Sequence, residues 1–133
     1  MRNQMIDIRN VLTQDAAVTG QVSASDIRVG FARQVDSFPC ITLDKVTGDT
    51  YGRLGFKTSD PGSRDRHESI TVQLDIYTRS SASHRDTIGD YVIKAMMSGC
   101  SGARMLGDIG TYDDGYDAYR DIQTWTLWEI VQD

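Results

Sequence analysis

Nowhere does the 133-residue sequence hold a run of about eighteen apolar side chains, so it offers no membrane-spanning helix. The stretch Met1-Arg2-Asn3-Gln4-Met5-Ile6-Asp7 also lacks the apolar core of a secretory signal. Residence in a cytoplasm until assembly is therefore expected. Lys/Arg clusters of nucleic-acid-binding type are missing too. The 14 basic residues are scattered among 19 acidic ones, which argues against direct sequence-specific nucleic-acid binding, though not against a place beside a DNA channel. Cys40 and Cys100 have no CxxC spacing, and reduced, partly buried thiols are expected.

Signatures of chemistry are equally scarce. His67 and His84 have no cysteine or second histidine at ligand spacing, so no metal site is expected and both should sit at the surface. The P-loop, the nucleophile elbow GxSxG, the zinc motif HExxH and the dinucleotide fingerprint GxGxxG are absent. Gly52 and Gly55 do not lie between a strand and a helix N-terminus, where a phosphate cradle would need them. The carboxylate-rich segment 108–117 lacks the ligand spacing of a calcium loop and reads as a solvated hairpin. Nothing singles out a general acid–base pair, and neither a catalytic residue nor a cofactor is expected.

What is present suits one α+β domain spanning residues 1–133. Apolar content of 39% and charged content of 25% are those of a folded chain. Met5, Ile8 and Leu12 fall at helical spacing behind a potential cap at Asn3, and the stripe resumes at Ala16–Val18 before Gly20 stops or kinks it. Ile27, Val29 and Phe31 alternate as a half-buried strand. Pro39 fits the start of a second strand, with Ile41 and Leu43 on one face.

From residue 47 to 66 the alternation dissolves among glycines, serines and aspartates. A loop this long is generally functional, and residues 48–66 are expected to be mobile until assembly. Ile70, Val72, Leu74 and Ile76 then alternate without a break. Ile88, Tyr91, Val92, Ala95 and Met96 trace a helical stripe, with Ser83 and Asp86 resembling a capping box and Gly99 a stop. Residues 104–112 read as a weak, glycine-interrupted strand, and Asp114-Gly115 as a two-residue turn into a long strand over residues 119–131. The sum is a mostly antiparallel sheet of about four to five strands, with one main helix and a shorter N-terminal helix packed on it.

That last strand carries Ile122, Trp128 and Ile130 on one face and Trp125, Leu127 and Val131 on the other. A strand with one wet face should alternate apolar and polar. Either the two helices cover opposite faces, or a second protein or second copy covers one of them. Trp125 and Trp128 are thus candidate subunit contacts, and Arg53, Lys57 and Arg64 of the long segment are candidate polar contacts.

The order of these segments resembles a known family. Phe38-Pro39-Cys40-Ile41-Thr42-Leu43, then Val72-Gln73-Leu74-Asp75-Ile76-Tyr77 running into a helix, then Tyr119-Arg120 through Trp125, resemble in order and spacing the tail-completion (tail-terminator) proteins of long-tailed bacteriophages. The resemblance covers nearly the whole chain. It implies a virion protein of the tail or neck, assembled in the host cytoplasm. It further implies a homo-oligomer, usually a hexameric ring, on the head-proximal end of the tail tube, contacting the tail-tube protein and a head-completion or neck protein. A head-closure or neck subunit is the nearest rival. A small α+β enzyme or ligand-binding domain is a remoter one, and would need a concave pocket with convergent polar groups.

Overall fold

The computed structural model describes residues 4–30, 37–50, 65–100 and 102–132. Its elements in chain order are α1 (Gln4–Gln14), α2 (Ala16–Thr19), a 3-10 turn (Ala24–Asp26), β1 (Ile27–Val29), β2 (Cys40–Thr50), β3 (Asp65–Thr78), α3 (Ala82–Gly99), β4 (Arg104–Asp113) and β5 (Ala118–Gln132). The strands form a five-stranded sheet in the order β1-β2-β3-β5-β4. Only the β1–β2 pair in that sheet is parallel; the others are antiparallel. This is the expected α+β architecture, with α3 as the main helix and α1 as the shorter one.

Alternation decides what the sheet buries. On β3, Ile70, Val72, Leu74 and Ile76 point to one face and are buried. Register places Leu127, Trp125, Gln123 and Asp121 of β5 beside them, and Ile41 and Leu43 of β2 on the other flank. Both helices seat on this face. Met5, Ile8 and Leu12 of α1 join Ile88, Val92, Ala95 and Met96 of α3 in one apolar core. The alternative in which the helices take opposite faces is therefore excluded. On the other face, Thr42, Asp44, Thr71, Gln73, Ile122, Thr124 and Thr126 are half-exposed.

Several boundaries differ from the sequence expectation, each for a local reason. The first helix breaks at Asp15, before Gly20, because the Asp15 carboxylate accepts from Ala17 N (3.0 Å) and Val18 N (3.1 Å) and starts α2 as its N-cap. Strand β2 continues through Thr50 and β3 begins at Asp65, inside the stretch read as loop. A bulge between Lys45 and Thr47 lets the backbone ladder run on through Gly48. The helix cap is Ser81, not Ser83. Ser81 has extended backbone and its hydroxyl accepts from His84 N at 3.0 Å, while Ser83 already lies in the first turn. Gly99 does not end the helix from outside; it is the last helical residue, and a Cβ there would meet Val11 of α1.

The turn between β4 and β5 is also longer than Asp114-Gly115. It spans residues 114–117, with Asp117 at φ 52° and Tyr116 N donating to the Asp113 carboxylate at 3.1 Å. The short polar side chain of Asp117 tolerates that left-handed backbone, and the Asp113 carboxylate supplies the turn's own acceptor. The Phe38-Pro39 peptide is cis, and β2 starts directly after it. Of the long segment named above, 48–66, residues 51–64 lie outside the described residues, as do Phe31 and the Asn3 cap position.

Val92 sits fully buried beneath α3. Val92→Asp should cost at least about 3 kcal/mol by placing an unpaired charge there. Urea unfolding followed by far-UV circular dichroism measures it, and a midpoint equal to wild type would take this stripe out of the core.

Candidate assembly surface

Where α3 crosses β5, the apolar core gives way to a polar seam. Asp121, Gln123 and Trp125 alternate on the helix-facing side of β5. Trp125 Nε1 donates to Gln123 Oε1 (3.1 Å), and Gln123 Nε2 donates to Gly89 O (3.1 Å) and to Asp121 Oδ2 (3.2 Å). All three side chains are buried, and the chain of bonds meets the requirement that buried polar groups find partners. Glycine is needed at position 89 because a Cβ would meet Asp121 Oδ2. Burial first, then a hydrogen bond with Asp108, pushes the Asp121 carboxyl up from 3.8 to about 7, against the opposing pull of Gln123 and Arg85.

The outer face solves a buried carboxylate differently. Asp75, on β3, accepts from Arg120 (3.1 and 3.3 Å) and from Gln73 (3.1 and 3.2 Å). Arg120 also reaches Asp113 at 3.4 Å and lies over the Tyr77 ring. Burial raises the Asp75 carboxyl, while Arg120 and Gln73 act the other way. Beside this cluster Cys40, Tyr77 and Ala118 form a small second core with Phe38 and Tyr116. Arg79 lies 4.0 Å over the Phe38 ring and donates to Tyr116 O at 2.9 Å.

Beyond the seam lies β4, the edge strand of the sheet next to β5. Helix α3 seats mainly over β3 and β5, which leaves β4 largely uncovered. Its side chains are exposed at nearly every position: Ile109 62%, Leu106 55%, Tyr112 44% and Met105 37%. A bulge between Met105 and Gly107 takes Leu106 out of the ladder. An edge strand offers unpaired backbone groups as a template for another chain, and apolar side chains on it favour such pairing. Arg104, Asp108 and, at its end, Asp113 are the charges that temper it.

Of the contacts named from sequence, Trp125 lies wholly inside the core under α3, so its truncation would damage the monomer itself. Trp128 pairs through its backbone with Ser69, and its side chain is outside what the structure describes, as are Arg53, Lys57 and Arg64. Sequence reasoning missed Met105, Leu106, Ile109 and Tyr112, because interrupting glycines made residues 104–112 look weak. The usable signal was apolar residues kept in a strand too glycine-rich to be central. His84 is not a free surface residue. It is half-buried, with Nδ1 2.8 Å from Thr78 Oγ1 and Nε2 2.9 Å from Gln21 Oε1. Among the described residues no group of three or more His, Cys, Asp or Glu side chains stands together to hold a metal ion, and no helix is long and apolar enough to cross a membrane.

A chain from the virion of a native gene transfer agent (GTA) particle shares this fold. The two superpose with a TM-score of 0.66, covering 96% of this chain and 94% of that one, at 11% identity. The likeness is thus one of architecture over nearly the full length of both chains. No family model and no curated protein matches the sequence.

The two glycines flanking the seam give opposite expectations. Gly89→Ala gains about 1 kcal/mol of helix propensity but should lose about 1–3 kcal/mol through the clash with Asp121. A net fall in the denaturation midpoint is expected. Gly107→Ala, with nothing within 4 Å of the new methyl, should leave the midpoint nearly unchanged. Equal effects at the two sites would contradict the close approach at Gly89.

Proposed function

We propose that this chain is a structural, non-catalytic subunit of a phage-like virion. More narrowly, it is the tail-completion subunit that closes a hexameric ring on the head-proximal end of the tail tube, stops tube growth and offers a surface to the neck. The single observation that carries the virion role is the end-to-end fold likeness to a chain of the gene transfer agent virion. The order of sequence segments described above supports the tail-completion role within it.

The edge strand β4 supports assembly independently. Rings arise when one surface patch meets a different patch on the next copy and the rotation closes. A contact of roughly 1,200–2,000 Å² per pair is ordinary for such subunits. Leu106 and Ile109 on β4 supply exposed apolar area for it. Arg53, Lys57, Arg64 and Trp128 remain proposed contacts toward the neighbouring copy, the tail-tube protein or the head-completion protein.

Sedimentation of purified protein, alone and with tail tubes, tests the surface. Leu106→Asp and Ile109→Asp should abolish ring formation while shifting monomer stability by no more than about 0.5 kcal/mol, as exposed substitutions do. Rings that persist in both variants would remove β4 from the interface. At the level of the particle, loss of the gene should give DNA-filled heads with overlong tails. Normal-length tails that fail to join would favour a head-closure subunit, and normal joined particles would sink both roles.

A further inference from the structure

Strand β5 outruns its outer neighbour. On one side its ladder with β3 is unbroken, from Tyr119 opposite Thr78 to Gln132 opposite Asp65. On the other side β4 pairs with it only as far as Thr126, opposite Arg104. Among the described residues no strand lies beside residues 127–132 on that side. About 20 Å of track is left open at ~3.3 Å per residue, and alternate residues along it turn an N–H and a C=O outward. Such a row is a template for another chain.

The corner of this notch is apolar. Met105 and Leu106 stand exposed at the start of β4, where the bulge takes Leu106 out of the ladder. Arg104, the first residue of β4, is also exposed, and among the described residues no carboxylate pairs with it.

We propose that the notch receives residues 127–132 of a second copy in a two-fold, antiparallel pairing, so that each β5 fills the open track beside the other. The contact goes beyond the ring assigned above and does not depend on it.

Direction favours this occupant. The track is the one that β4 occupies further along, antiparallel to β5, and an antiparallel newcomer continues that line. It carries its own body away from β4, whereas a parallel one would drive its body into β4. A two-fold contact uses the same patch on both copies, so the segment must complement itself. Turned antiparallel on itself, it sets Leu127 opposite Gln132, Trp128 opposite Val131 and Glu129 opposite Ile130, with no like charges facing. Beyond Gln132 the chain of the second copy heads toward Arg104, and its next residue, Asp133, is acidic. Strand β2 outruns β1 as well, since β1 pairs only with Ile41 to Leu43. Its edge is the poorer template, because a bulge between Lys45 and Thr47 bends it and Lys45 and Gly48 interrupt it. The pairing leaves the outer edge of β4 free, and its symmetry stops it at two copies.

The Ile109→Asp chain, altered at the proposed ring contact, separates the two contacts. In sedimentation equilibrium its mass should rise with concentration from one copy to two and stop there. Amide exchange should slow about tenfold at alternate residues within 127–132 once nine-tenths of the copies are paired, while the Leu74 amide holds. Adding Arg104→Glu should weaken the pairing roughly fivefold, the reach of an exposed ion pair. Asp133→Lys in that same chain should restore it. A mass that stays at one copy, growth past two, exchange at residues 127–132 that ignores concentration, or a charge-swapped chain no tighter than Arg104→Glu would each overturn the proposal.

Discussion

Four side chains on one face of β3, Ile70, Val72, Leu74 and Ile76, organise everything around them. They lie in the middle strand of the order β1-β2-β3-β5-β4, so both flanking strands align to them. They also make the surface on which α1 and α3 must land, since each helix has one apolar stripe to bury. Because both helices choose that face, the described part of the opposite face is left to threonines, glutamine, ion pairs, Ile122 and the small second core around Tyr77. The same choice leaves β4 beyond the reach of α3. The one-sided core and the exposed edge are thus two aspects of a single packing decision.

Two aspartates show how the sides differ. Asp75 and Asp121 are both buried in adjacent strands, yet on opposite faces. On the outer face a carboxylate can recruit a long cationic side chain, and Asp75 takes Arg120. Under α3 the nearby cation, Arg85, donates to Asp86 and to Thr111 O. Asp121 instead receives a glutamine amide and a glycine that clears space for it. A buried charge is costly unless partnered, and the available partners are set by which face the residue occupies.

Much of this was legible from residue order. The alternation of Ile70 to Ile76, the stripe from Ile88 to Met96 and the start of β2 after Pro39 are patterns that period and backbone chemistry dictate. The misses have physical causes. Ser83 and Ser81 are both good caps, and only the extended backbone at Ser81 decides between them. Gly48 looked like loop because a ladder of backbone hydrogen bonds leaves no side-chain signature at a bulge. The face of Trp125 was readable, but which face the helices would take was not, since both carried apolar residues. The candidate surface on β4 was obscured because edge strands keep few apolar residues and many glycines. The link from His84 to Gln21 joins positions far apart in sequence and leaves no local trace.

Strand β5 lies between β3 and β4, although β3, α3 and β4 precede it in the chain. Until residues 118–132 leave the ribosome, β3 lacks its longest partner, β4 has no ladder to join and α3 has only half a platform. Long-range pairing of this kind is slow, and stranded edges are vulnerable to wrong partners. Synthesis therefore produces a chain that withholds its folded edge until the β5 segment arrives. The surface that could engage a neighbour comes into being in the same step that completes the sheet.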